Sequence, residues 1–367
     1  MKILHITEKP RFSGAEILIR DLVMSHAHEV DIAITSLNPT EDDFQETMQV
    51  LKNNGAKLYI PKHSLSKTER LSYLFKIFRE YQPDIIVGHS AIVSAYMRIV
   101  GVLFPSLKKV VVLHAAADYE GGGRLQTAEY ILQYFTTYVI GVSDWSRDTY
   151  QNRFKKVPCK TIYNGVNLEK FTQQRNIDMN SIRKNIFKAN INNFVILQVG
   201  RVNTVKNQLL TLQAISLLHD DIKRNILAVF AGIIEDRDYY QQILDFASKY
   251  KLTNQIKFLG ARSDVNELLF ASDLYVMPSE RENFSIAILE ALSTGIPTIY
   301  SDIQQFNFLN KYQYKNTFKV KLEDEDRFSQ LISNVYEQKL KFIERDLSDF
   351  SFDNCSQQYM NLFKELI

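Results

Sequence analysis

Leu274-Tyr275-Val276-Met277-Pro278-Ser279-Glu280-Arg281-Glu282-Asn283-Phe284-Ser285-Ile286-Ala287-Ile288-Leu289-Glu290-Ala291-Leu292-Ser293-Thr294-Gly295-Ile296-Pro297-Thr298-Ile299-Tyr300 is the stretch that decides the fold. It begins with a short apolar run, which Pro278 and Ser279 end. A helical pattern follows from Ser285, Gly295 and Pro297 close it, and a second apolar run resumes at Thr298. That is a strand–helix–strand unit, whose parallel strands require a crossover helix. Ser285 is expected as the N-cap, and the free N–H groups of the helix start suit a phosphate.

The same alternation extends in both directions. Runs 2–7, 30–35, 57–60, 84–88, 109–114 and 138–142 read as strands, separated by helical patterns. The series restarts with 194–199, 226–231, 256–259, 274–277 and 298–300. Near-continuous apolar strands alternating with helices imply parallel sheets covered on both faces. The expected fold class is α/β, with two doubly wound Rossmann-like domains facing across a cleft. They are expected over 1–170 and 171–349, with a closing helix at about 350–367 packed back on the first. The chain's 367 residues agree with two domains at roughly 150 residues each.

Composition narrows the function. The charge is +2, from 44 Lys and Arg against 42 Asp and Glu, which argues against a nucleic-acid binder. Two cysteines make no disulfide framework, and no targeting segment is visible, so a reducing, cytoplasmic setting is expected. No apolar run reaches the roughly 20 residues of a membrane span, although attachment to a membrane surface stays compatible with this composition. The seven His and two Cys show no metal-ligand spacing, and no resident cofactor is expected. Asp236-Arg237-Asp238 precedes a helix and reads as a cap.

Two carboxylates stand out in the opening stretch. Glu290 lies in an apolar helix, where a carboxylate needs a partner: an Arg or Lys, solvent, or the vicinal hydroxyls of a ribose. Glu282 is eight residues earlier, about 12 Å along a helical axis, so the two are no acid–base pair. Contacts at separate points of one long ligand fit better.

Pro278, Ser279, Glu282, Phe284, Glu290, Ala291, Gly295 and Pro297 together resemble the E-x7-E signature of family 4 retaining glycosyltransferases, which have the GT-B fold. Gly200-Arg201-Val202-Asn203-Thr204-Val205-Lys206 resembles the family's G-R-x4-K motif. Ser13-Gly14-Ala15-Glu16 resembles its glycine loop, Asn164-Gly165-Val166-Asn167 its N-G-V-D run, and Phe258–Arg262 its nucleobase segment. The resemblance implies transfer of a sugar from a nucleotide-diphospho-sugar, a UDP-sugar such as UDP-GlcNAc, UDP-Glc or UDP-Gal, to a polysaccharide, glycolipid or other acceptor. Retention and independence of metal are implied with it.

Residue by residue, the resemblance places Arg201 and Lys206 on the diphosphate, Glu282 on the donor sugar and Glu290 on the ribose. His114 goes to the reacting centre, Arg262 to the base and Gly14 to a close backbone approach. Asn283, Phe284 and Ser285 line the donor loop, and His89 is a substrate contact on the acceptor side. Asn283 and Ser285 stand where the family usually has glycine. That departure keeps open a non-catalytic partner subunit, and a nucleotide-sugar epimerase is the other alternative. Gly121-Gly122-Gly123 is expected to be a substrate-ordered loop.

Overall fold

A computed structural model of the chain describes residues 1–11, 13–114, 124–172, 177–190, 192–340 and 342–367. The chain forms two compact units, Met1–Gly165 with Phe352–Ile367, and Val166–Ser351.

The first unit carries a parallel sheet of β1 (Lys2–Thr7), β2 (Asp31–Ser36), β3 (Lys57–Tyr59), β4 (Ile85–Gly88), β5 (Lys108–Leu113), β6 (Tyr138–Gly141) and β7 (Cys159–Thr161). Its order is β3-β2-β1-β4-β5-β6-β7. The chain winds outward from β1 to β3, returns to β4 and winds the other way, so the order reverses between β1 and β4. The central strands are buried along their length because helices cover them. Helix Lys67–Tyr81 shows how: Leu74, Ile77, Phe78 and Tyr81, at helical spacing, turn inward, and a Ser66–Glu69 capping box fixes its start.

The second unit repeats the plan with β8 (Phe194–Val199), β9 (Ile226–Ala231), β10 (Ile256–Phe258), β11 (Leu274–Met277), β12 (Thr298–Ser301) and β13 (Thr317–Val320), in the order β10-β9-β8-β11-β12-β13. Here the reversal lies between β8 and β11. Strands β7 and β13 escaped the sequence reading. Both are edge strands, Cys-Lys-Thr and Thr-Phe-Lys-Val, in which polar residues leave no continuous apolar run.

The chain leaves the first unit at Gly165 and re-enters at Phe352, against an expected boundary at 170/171. Helix Leu168–Thr172 packs on helix Ile286–Thr294, which draws residues 166–172 into the second unit. Gly165 is required where the strands of chain pass: a Cβ there would lie 2.3 Å from Phe352 Cα. Helix Phe352–Glu365 packs on helix Gly14–His26 in the first unit. Ser25 Oγ meets Ser356 Oγ at 2.7 Å, and His26 Nε2 meets the same hydroxyl at 2.7 Å.

Candidate active site

The loops after β8 and β11 leave the sheet side by side at the reversal of strand order, where a crevice forms in doubly wound sheets. After β8, Asn203 Oδ1 accepts from Lys206 N at 3.0 Å and Asn207 takes a left-handed φ of +54°. Glu280 N donates to Val205 O at 2.8 Å, tying one loop to the other. These constraints bring Lys206 Nζ into an ion pair with Glu282, the two side chains being only 19% and 10% exposed. Residues 76 positions apart thus become one site.

Arg201, 59% exposed, pairs with Glu235, which also accepts from Asn203 Nδ2. Asp236 caps helix Arg237–Lys249 through Tyr239 N at 2.9 Å, as its sequence context suggests. Arg262 is held by Asp264, with Nε 2.8 Å from Oδ1.

Helix Ile286–Thr294 starts at Ser285, but that hydroxyl does not cap it. Ser285 Oγ donates to Met277 Sδ at 3.2 Å and makes no capping hydrogen bond to the helix. Ser285 is the N-cap as expected, with extended backbone, although its hydroxyl is used elsewhere. The buried Met277 sulfur beneath captures the hydroxyl, and the first-turn N–H groups keep their capacity for an anion. Phe284 turns inward, its ring 5.2 Å from Phe308 and 6.4 Å from Phe350. Gly295 ends the helix at φ +84°, and a Cβ there would stand 2.6 Å from Ile343 O.

Glu290 has no hydrogen-bond or ion-pair partner among the described residues. Burial pushes its carboxyl up to about 7, with the charge of Lys170 opposing only weakly. The Arg or Lys pairing left open by the sequence is not what forms. Tyr275, buried on β11, lies close to both carboxylates. Its hydroxyl is held protonated, first by burial and then by the charges of Glu290 and Glu282. Sequence reasoning missed Tyr275 because a strand tyrosine looks like core.

In the first unit, Gly14 opens helix Gly14–His26, where a Cβ would meet no protein atom within 4 Å. Glu16 is buried and accepts from Thr7 Oγ1 and Ser13 Oγ. His114 follows β5 and His89 follows β4. His89 Nδ1 is 3.0 Å from His114 Nε2, and His89 Nε2 is 3.0 Å from His5 Nδ1. The expectation that His89 touches substrate is corrected: it is 3% exposed and both ring nitrogens are engaged. Burial lowers His114 to about 4. His5, inside β1, was not singled out, because a lone strand histidine carries no signal until the sheet order places it beside β4. Gly121-Gly122-Gly123 lies outside the described residues.

Among the described residues no group of three or more His, Cys, Asp or Glu could hold a metal ion, and no helix is long and apolar enough to cross a membrane.

Two parallel, doubly wound units define an α/β protein of GT-B architecture. The profile described as "Glycosyl transferases group 1" matches residues 181–346, and that of "Glycosyltransferase Family 4" matches 12–170. The chain belongs to this glycosyltransferase family. Relatives include the Escherichia coli UDP-Gal:alpha-D-GlcNAc-diphosphoundecaprenol alpha-1,3-galactosyltransferase, 26% identical over 99% of this chain and 93% of the relative. Another is the Staphylococcus aureus capsular polysaccharide biosynthesis glycosyltransferase CapH, 22% identical over 99% and 98%. Among solved structures, Anabaena HepE in complex with UDP-glucose superposes with a TM-score of 0.82 at 19% identity, covering both chains fully.

Proposed function

We propose that this chain transfers a sugar from a UDP-sugar to a lipid-linked or polysaccharide acceptor, with retention of anomeric configuration and without a metal ion. The observation that carries the reading is Glu290, a carboxylate pushed to about 7 with no hydrogen-bond or ion-pair partner among the described residues, in the helix that follows Glu282 of the Lys206–Glu282 pair. Vicinal ribose hydroxyls supply the two donors that such a carboxylate lacks, and binding them favours its ionised form. The names of the relatives support a UDP-sugar and an undecaprenol-linked or capsular acceptor.

In this reading the diphosphate takes the charge that builds as the sugar–phosphate bond breaks. Lys206 has three ammonium donors and can keep Glu282 while donating to a phosphate oxygen. Arg201 and the start of helix Ile286–Thr294 add to that stabilisation. The acceptor hydroxyl attacks the anomeric carbon from the face the diphosphate leaves, and its proton passes to the departing phosphate oxygen. Glu282 orients sugar hydroxyls, His114 contacts the reacting sugar, and Arg262 stacks on the base. Asn283, Phe284 and Ser285 contribute backbone N–H groups, and Gly14 admits close approach. His89 acts only through His114. Acceptors tethered to lipid would bring the enzyme to a membrane surface.

The test is turnover of labelled UDP-Glc, UDP-Gal and UDP-GlcNAc, with EDTA present. Lys206→Ala and Glu290→Ala should remove donor consumption while the protein stays folded. Near-normal turnover by either variant refutes its assignment, and loss of wild-type turnover in EDTA refutes metal independence.

A further inference from the structure

His5, His89 and His114 sit on or just past three neighbouring strands, β1, β4 and β5, and touch in series. His5 Nδ1 meets His89 Nε2 at 3.0 Å, and His89 Nδ1 meets His114 Nε2 at 3.0 Å. The ring centroids are 5.2 Å and 5.3 Å apart, tilted by 32° and 31°. The nitrogens face one another pairwise. They do not converge on a point, as metal ligands must at about 2.0–2.1 Å from an ion.

A neutral imidazole carries one N–H and one lone pair, so a chain of three has only two consistent directions. In one, each ring donates toward His5, and His5 Nε2 ends as an N–H. In the other, each ring donates toward His114, and His5 Nε2 ends as a bare lone pair. Among the described residues His5 Nε2 is buried without a hydrogen-bond partner, as is Nδ1 of neighbouring His26. Phe363 packs edge-on to His5 with centroids 6.4 Å apart and offers no lone pair. A buried N–H left unpaired is rarer and costlier than an under-used acceptor. The blind end therefore selects the second direction.

We propose that His5 and His89 are positioning residues that lock His114 into its Nδ1–H tautomer, so that His114 presents a neutral N–H donor to an anionic or hydroxyl oxygen of the bound sugar nucleotide. The ligand in this statement rests on the proposed function; the tautomer does not. Among the described residues no acceptor lies within hydrogen-bond distance of His5 Nε2, so the chain has no direct proton outlet at its inner end. Burial also keeps all three rings neutral, with His5 lowered to about 3 and His89 lowered in the same direction. His114 thus serves as a fixed dipole rather than as a base.

The experiment is two-bond ¹H–¹⁵N correlation spectroscopy on the full chain with ¹⁵N-labelled histidine, in neutral buffer without any sugar nucleotide. An isolated imidazole prefers its proton on Nε2, so an Nδ1–H form is not the default. The expected wild-type result is Nδ1–H over Nε2–H at His114 by about tenfold or more, the bias set by one orphaned buried donor. His5→Phe keeps an apolar blind end and should keep the bias. His5→Asn offers either a donor or an acceptor to His89 and should bring the ratio toward one. Nε2–H at His114 in the wild type overturns the proposal even if neither variant folds. An unchanged ratio in folded His5→Asn overturns it as well. Absence of sugar transfer with the Nδ1–H form present would count against the proposed function alone.

Discussion

Glu290 makes the sharpest test, because the same property should weaken the free fold and serve the ligand. Its carboxyl rises from 4.5 to about 7 on folding, first through burial. The fold therefore favours the protonated form. This contribution to stability is fully present below pH 4.5 and is lost as the pH rises through 7. At 1.36 kcal/mol per pH unit, an ionised Glu290 costs the free protein about 3 kcal/mol at pH 8. Glu290→Gln keeps the shape and removes the titration. In urea unfolding, the variant should be more stable than the wild type by up to about 3 kcal/mol at pH 8, and by less than about 1 kcal/mol at pH 5. UDP affinity, measured by calorimetry, should fall about 10- to 100-fold as charge-assisted bonds to the ribose become neutral ones. A variant no more stable than the wild type at pH 8, or one that binds UDP equally well, refutes the reasoning.

Lys206→Ala leaves Glu282 part-buried without its cation and should cost about 2 kcal/mol in urea unfolding, with wild-type stability pointing to a pair that contributes nothing. Arg98→Met should cost about 3–5 kcal/mol, since Glu129 loses a buried bidentate partner and, among the described residues, keeps Tyr150 alone, its Oη at 2.5 Å. Arg98→Met with Glu129→Leu should recover most of that loss, and an equally unstable double variant would contradict it. Gly295→Ala should lower stability by about 2 kcal/mol or more, from a left-handed φ of +84° and a clash with Ile343 O, and a neutral outcome would show that the turn relaxes.

The fold was largely legible in the chain. Apolar runs of strand length alternating with helical spacing leave few topologies open, and the stretch 274–300 states one crossover unit directly. The residue types of the candidate site, Glu282, Glu290, Arg201 and Lys206, were legible as well, because their motifs are contiguous. Pairing was not. That Lys206 meets Glu282, that the Ser285 hydroxyl turns to Met277, and that Arg98 is buried with Glu129 all depend on neighbours far along the chain.

The histidines show the division most clearly. Sequence placed His89 and His114 at strand ends and left His5 unmarked within β1. Only the order β1-β4-β5, which no local pattern encodes, sets the three rings in line. What the sequence by itself determined is the periodicity, and with it the strands, helices and loop chemistry. What tertiary structure alone decided is which polar groups lost water together. Burial raised Glu290 to about 7 and lowered His114 to about 4, and desolvation is a property of the packed neighbourhood.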